Sequence, residues 1–290
     1  MRALVQQPPR ALGRLALSSL LLAANLNIIG AAVFQARATA AWLQVERLAG
    51  TVSIHTSGQR SARVGDRLSA VGQGMSTGSG SSANLSLDNG IGSVAVAQNT
   101  RMTIQRLSTL ADGARVTILD VSRGQARLQV RSFSNPNSRL ELHTPSGVAA
   151  VRGTEFGVAV AEDGKTSIAT LEGQVEAISQ GVDVPVDAGL ASIIRPGEPP
   201  TPPLPLDREL EIQWRLQMRR GNQLIMAGQI DAANTLLFGE DEIAISRTGN
   251  FELDLPLSDR HRTLTLTVRN PMGESRIHRL HTWQLDDLDR

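Results

Sequence analysis

The chain has 290 residues, with 29 Lys+Arg against 28 Asp+Glu, 41% hydrophobic and 3% aromatic residues, and no Cys. That length holds one or two domains. A net charge of +1 argues against nucleic acid as a partner, and the lack of Cys excludes disulfides, thiolate nucleophiles, Cys-ligated zinc and iron-sulfur clusters. Lys165 is the only lysine and sits in a turn-like Asp163-Gly164-Lys165. Tyr is absent, and Trp42, Trp214 and Trp283 are the only tryptophans.

Residues 1–40 carry Arg2, Arg10, Arg14 and Arg37 and no acid, around an apolar run at 15–34. Together with the small-residue sites Ala36-Arg37-Ala38 and Ala38-Thr39-Ala40, this reads as a secretory signal peptide. The alternative is an uncleaved inner-membrane anchor, since the run approaches the ~20 residues that span a bilayer. On either reading the remainder is exported: periplasmic or secreted, or anchored in the inner membrane and facing the periplasm. Without those four Arg it is mildly acidic.

Residues 42–195 read as strands almost throughout. Apolar and polar residues alternate at 83–87, 102–105, 116–119, 126–130 and 140–142, with Asp88-Asn89-Gly90 turning the chain after the first run and Val94-Ala95-Val96 continuing it. Short period-two runs separated by Gly, Asp and Asn predict half-buried antiparallel strands, and no stretch keeps a helical period. An internal echo links Leu48-Ala49-Gly50-Thr51-Val52 to Leu171-Glu172-Gly173-Gln174-Val175, with Ser122-Arg123-Gly124-Gln125-Ala126 as a looser copy. Repetition of this kind predicts a stacked or twisted, solenoid-like antiparallel β domain.

Six of the thirteen prolines fall within residues 196–205. A linker at 196–206 is therefore expected to adopt polyproline II and to keep two modules apart. Beyond it, residues 207–290 alternate again at 250–255 and 263–268, with Phe251, Leu253, Leu255, Leu264, Leu266 and Val268 facing a core. A hairpin is predicted around Gly239-Glu240-Asp241-Glu242 and a turn at Asn270-Pro271-Met272-Gly273. About seven short strands in that length fit a small Ig-like β-sandwich. Residues 208–219 are open to a helical start, although Ile212, Trp214 and Leu216 also alternate.

The segment Thr144-Pro145-Ser146-Gly147-Val148-Ala149-Ala150-Val151-Arg152-Gly153-Thr154-Glu155-Phe156-Gly157-Val158 resembles the hallmark of the FecR-type periplasmic domain family. Leu171-Glu172-Gly173-Gln174-Val175 with Ala188-Gly189 is similar to that family's next motif, and residues 77–90 to its entry motif. The resemblance spans about residues 50–195, and the part after the linker is similar to bacterial Ig-like modules. It implies a relay of a cytoplasmic anti-sigma segment, a membrane helix and a periplasmic domain that senses an outer-membrane receptor. Fourteen residues precede the apolar run, too few for a folded anti-sigma segment. The expectation is thus the extracytoplasmic binding half alone.

The candidate site is the corner Arg152, Gly153, Thr154, Glu155 and Phe156, either a structural corner of the β-stack or a docking edge for a partner strand. Gly153 permits a backbone approach that a Cβ would block. Arg152 and Glu155 are placed to pair with each other or to satisfy strand edges, and Phe156 and Val158 to share a face.

Other patterns carry less. Gly72-Gln73-Gly74 lacks the spacing, helix and lysine of a phosphate loop. His278 and His281, three apart on a strand, point to opposite faces. Neither 88–90 nor 241–242 has the order of a calcium loop, and no Ser-centred nucleophile elbow or marked carboxylate pair is visible. The expectation is a non-enzymatic, cofactor-free and metal-free envelope module. It would contact another envelope protein of unknown identity, touching membrane only through an uncleaved leader. The alternative is a surface or matrix adhesin, carbohydrate-associated, whose platforms would come from the three tryptophans. A hydrolase would need two carboxylates converging in a cleft.

Overall fold

In a strand every second side chain turns to the same face, so each alternating run here supplies one apolar stripe that must be covered. The protein, seen in a computed structural model that describes residues 41–87, 90–220, 223–256, 263–281 and 286–287, covers them with layered sheets. The leader at 1–40, Asp88-Asn89 and Trp283 lie outside the described residues.

The first body begins with β1 (Leu43–Ala49), β2 (Val52–His55), β3 (Gln59–Ser61), β4 (Arg67–Leu68), β5 (Gly74–Thr77) and β6 (Ser82–Leu87). It continues with β7 (Gly92–Val96), β8 (Arg101–Thr109), β9 (Arg115–Val130), β10 (Arg139–His143), β11 (Val148–Val151) and β12 (Glu155–Val160). It closes with β13 (Thr166–Glu172), β14 (Gln174–Ser179), β15 (Val182–Asp187), β16 (Leu190–Ile194) and β17 (Leu204–Pro205).

These strands form two layers that share β9. The outer layer runs β4-β1-β6-β7-β9-β12-β13-β16-β17. The inner layer runs β3-β2-β5-β8-β9-β10-β11-β14-β15. One apolar core lies between them, built from Leu43, Leu85, Phe156 and Ile168 on one side and Ile54, Met75, Leu119 and Leu142 on the other. The all-β, stacked architecture expected from the alternation is present, with no helix among the described residues.

Two details depart from the sequence reading. Residues 115–130 are one strand, where alternation suggested two, because the chain passes from inner to outer layer at Gly124 without leaving the ladder. The pairing of β9 with β10 is parallel, unlike the antiparallel rule elsewhere in this body. The internal echo also acquires a physical meaning. Gly50, Gly124 and Gly173 have φ of 71°, 84° and 79° and sit where the chain crosses between layers, a turn that glycine makes without steric cost.

The second body comprises β18 (Gln213–Arg220), β19 (Gln223–Gln229), β20 (Thr235–Phe238), β21 (Asp241–Ile243), β22 (Asn250–Pro256), β23 (Thr263–Arg269), β24 (Ser275–His281) and β25 (Asp286–Asp287). Two four-stranded sheets, β22-β19-β18-β25 and β21-β20-β23-β24, sandwich Leu224, Met226, Phe251, Leu236, Leu266 and Val268. The open question at 208–219 resolves as strand from Gln213.

The linker does not keep the bodies apart. Thr201 N donates to Ile193 O at 2.9 Å, Leu206 N donates to Gly189 O at 2.8 Å, and β17 pairs with Leu190 and Ala191 of β16. A proline-rich segment lacks the donors for a central strand but suits a sheet edge, which it occupies here. It leads the chain back over the outer layer, so that residues 38–290 form a single compact unit. The covered faces of β13 and β16 present Ala169, Ala191 and Ile193, which pack with Leu206, Ala233 and Met272.

Candidate functional site

The expected corner joins β11 of the inner layer to β12 of the outer layer. Gly153 has φ 143°, and a Cβ there would lie 2.3 Å from Ser132 Cα. Close approach to the segment after β9 explains the glycine: Phe133 N donates to Arg152 O at 3.0 Å and Val130 N to Thr154 O at 2.9 Å. Thr154 and Phe156 are buried, Phe156 completely, and Arg152 is exposed.

The structure corrects two expectations at this corner. Arg152 and Glu155 do not pair; Glu155 Oε1 accepts from Nε of Arg127 on the neighbouring strand at 2.9 Å and also from its terminal nitrogen. Nor is the corner a free strand edge. β12 pairs along its whole length with β9 on one side and β13 on the other, and β11 with β10 and β14. Every main-chain ladder position that strand addition would use is taken.

The corner does border an open groove of about 720 Å³. Gly153, Thr154 and Glu155 line it with Glu46, Arg131 and Glu172, the last three exposed. Charged side chains of both signs and an accessible Arg152 beside them suit recognition through side chains.

A second site was not legible in the sequence: the seam between the bodies. Phe156 and Val158 share the core face as expected and Val160 joins them, but Gly157 and Ala159 on the opposite face of β12 are buried too. The Asn270–Gly273 turn is what covers Gly157. Gln125 Nε2 donates to Asn270 O at 2.7 Å and to Pro271 O at 2.8 Å, and a Cβ on Gly157 would lie 2.1 Å from Pro271 O. Lys165, only 6% exposed, extends from the first body and donates from Nζ to the carbonyls of Ala232 and Asn234, each at 3.1 Å. Arg247 pairs with Glu198 at the exposed end of the same seam. The lone lysine is thus a clamp, and no reaction chemistry is required to explain it.

Replacing Lys165 by Met keeps the apolar stem but leaves two carbonyls unpaired. It is expected to lower stability by about 2 kcal/mol, read from urea unfolding. An unchanged midpoint would show that the two carbonyls find other partners.

Burial holds the Lys165 amine below its usual range. Burial likewise pushes the Glu242 carboxyl up to about 7, against the pull of Lys165 and with the help of Glu162 and Asp163. A carboxyl whose folded-state value is raised from 4.5 binds its proton more tightly when folded. Its contribution to stability is therefore complete below about 4.5 and is lost as pH rises through about 7. Urea midpoints measured between pH 5 and 8 should fall across that window, and Glu242→Gln should flatten the fall.

The remaining sequence candidates are accounted for individually. His278 Nε2 lies 2.8 Å from Leu210 O, and His281 Nδ1 lies 3.1 Å from Thr263 Oγ1. Trp42 stacks under the Arg67 guanidinium at 4.4 Å, whereas Trp214 meets Phe251 edge-on in the other body, so these two rings share no platform. Among the described residues no group of three or more His, Asp or Glu is placed to hold a metal ion.

Comparison with known proteins bears on the first body. Residues 73–176 match the family model described as FecR protein. Two solved structures of a candidate anti-sigma factor from Parabacteroides distasonis ATCC 8503, at 2.50 Å and 1.65 Å resolution, are similar to the chain. They have 16% and 17% identity, each with a TM-score of 0.38, covering 49% of this chain and 67% of theirs. No curated protein matches.

Proposed function

The chain carries a FecR-family domain at residues 73–176, and from that premise we propose that it is a non-enzymatic binding and signalling module of the cell envelope. It contacts another envelope protein through the groove beside the Arg152–Phe156 corner. The observation that carries this reading is the position of the family's hallmark residues. They fall inside the matched segment, and three of them, Gly153, Thr154 and Glu155, border an open, charge-lined groove of about 720 Å³. Because the main-chain ladder at the corner is full, contact is made by side chains: exposed Arg152, with Arg131, Glu46 and Glu172 around the groove.

The same proposal takes residues 1–40 as the export leader or anchor, places the described bodies in the periplasm or outside the cell, and treats the second sandwich as an Ig-like module. Its test is crosslinking of the intact envelope followed by identification and purification of the captured protein. Binding is then measured with wild type and with an Arg152→Ala, Glu172→Ala double variant. Both residues are exposed, so the variant is expected to keep wild-type stability within about 0.5 kcal/mol per site. Loss of the partner with retained stability supports the reading. A double variant that keeps every partner at wild-type affinity removes it.

A further inference from the structure

The seam contains a cleft of about 310 Å³, close to the lower bound of ordinary small-molecule sites, and junctions between packed modules are where such sites concentrate. Gly124, Gln125, Ala159 and Val160 of the first body meet Thr235, Leu237, Glu242 and Arg269 of the second there. Exposed Arg123, Glu162, Glu240 and Asp241 stand around the mouth.

Two inner groups set the chemistry. Arg269 is half-buried; desolvation pulls its pKa down, opposed by the charge of Glu240. Among the described residues its guanidinium has no hydrogen-bond or ion-pair partner, although it carries five donors in a planar fork. Glu242 shares the lining, and its carboxyl likewise accepts no hydrogen bond. Partly buried charged groups are ordinarily paired because leaving them unpaired is costly. Here a cation and a carboxyl, neither hydrogen-bonded nor ion-paired among the described residues, line one cleft.

We propose that this cleft binds a small zwitterion, a molecule of amino-acid to dipeptide size that carries one carboxylate and one ammonium group. The carboxylate lies against Arg269, whose fork matches two carboxylate oxygens, with Arg123 at the mouth adding positive charge. The ammonium faces Glu242 and the acids at the mouth. A simple anion would be repelled by Glu162, Glu240 and Asp241, and a simple cation by the two arginines, so each half of the zwitterion answers one half of the lining. Because the cleft is made by both bodies, the ligand also strengthens their contact.

The full chain is titrated by calorimetry with alanylalanine and with alanine, and with acetate and ethylammonium as single-charge controls. Thermal melts are followed in parallel, since a ligand that binds only the folded state raises the melting temperature. At least one zwitterion should bind and raise the melting temperature, and neither control should do so at equal concentration. Arg269→Gln should weaken binding by about tenfold or more, the loss expected for a charge-assisted pair. Should that variant not fold, Arg123→Ala at the exposed mouth and the near-isosteric Glu242→Gln should weaken binding singly and more together. No binding by either zwitterion, equal binding of acetate, or an affinity unchanged in these variants overturns the proposal. None of these outcomes bears on the groove at the Arg152 corner, which shares β9 and β12 with the cleft but none of its lining residues.

Discussion

Gly157→Val is expected to undock the second body from the first while leaving the first folded. The three nearest atoms to a Cβ at this position all belong to Pro271 and Met272, with Pro271 O at 2.1 Å. Backbone atoms cannot swing aside as a side chain does, so the strain falls on the seam at about 3 kcal/mol or more. β12 itself suits valine, a β-branched residue of high strand propensity, and no atom of β9 or β13 is among the three nearest to the added Cβ. Thermal unfolding should change from one transition to two, and protease should gain access to residues 196–206. Scattering should report a larger radius of gyration. A single transition at the wild-type temperature would show that the Asn270–Gly273 turn yields and that the seam does not depend on this contact. The zwitterion site should be lost with the seam, since its two halves then separate.

Gly153→Ala is expected to destabilise the first body itself. Its φ of 143° is one that L side chains rarely adopt, and the new Cβ would meet Ser132 Cα at 2.3 Å and Ser132 N at 2.7 Å. Backbone strain and overlap together amount to about 4 kcal/mol, a fall of about 10 °C in the melting temperature of a chain this size. Arg152→Ala, one residue away and exposed, should stay within about 0.5 kcal/mol of wild type. Equal stability of the two variants would mean that the crossing between layers relaxes easily, and the hallmark glycine would need another explanation.

That contrast within two adjacent residues shows what was readable beforehand. The special backbone at Gly153 could be anticipated, because a glycine between a strand end and a new apolar run commonly marks such a site. The partner of Glu155 could not, since Arg127 is twenty-eight positions away and is brought beside it only by the pairing of β12 with β9. The docking-edge alternative failed for the same reason: a strand's sequence says that it pairs, not how many neighbours it has. A signal for the covered face was nonetheless present. Gly157, Ala159, Ser167, Ala169 and Ala191 occupy the nominally outward positions of β12, β13 and β16, where a solvated sheet would carry charged residues.

The proline run shows the opposite error. Its prolines predict a stiff, extended segment, but stiffness does not set position, and such a segment is also a good edge strand when a sheet lies within reach. Once Leu204–Pro205 pairs with β16, the second body has little freedom to lie anywhere except over the outer layer.

Local order was in the sequence. Period-two alternation dictated strands in both bodies, and the Asn270–Gly273 and Gly239–Glu240 turns stood where the strands had to reverse, because each of these depends on residues within a few positions of one another. Tertiary structure alone decided which layer each strand joined, that the two bodies touch, that Lys165 is a clamp, and that Arg269 and Glu242 line one cleft. Those facts rest on contacts such as Gln125 with Asn270 and Lys165 with Asn234, which lie 145 and 69 residues apart and arise only when whole faces are buried together.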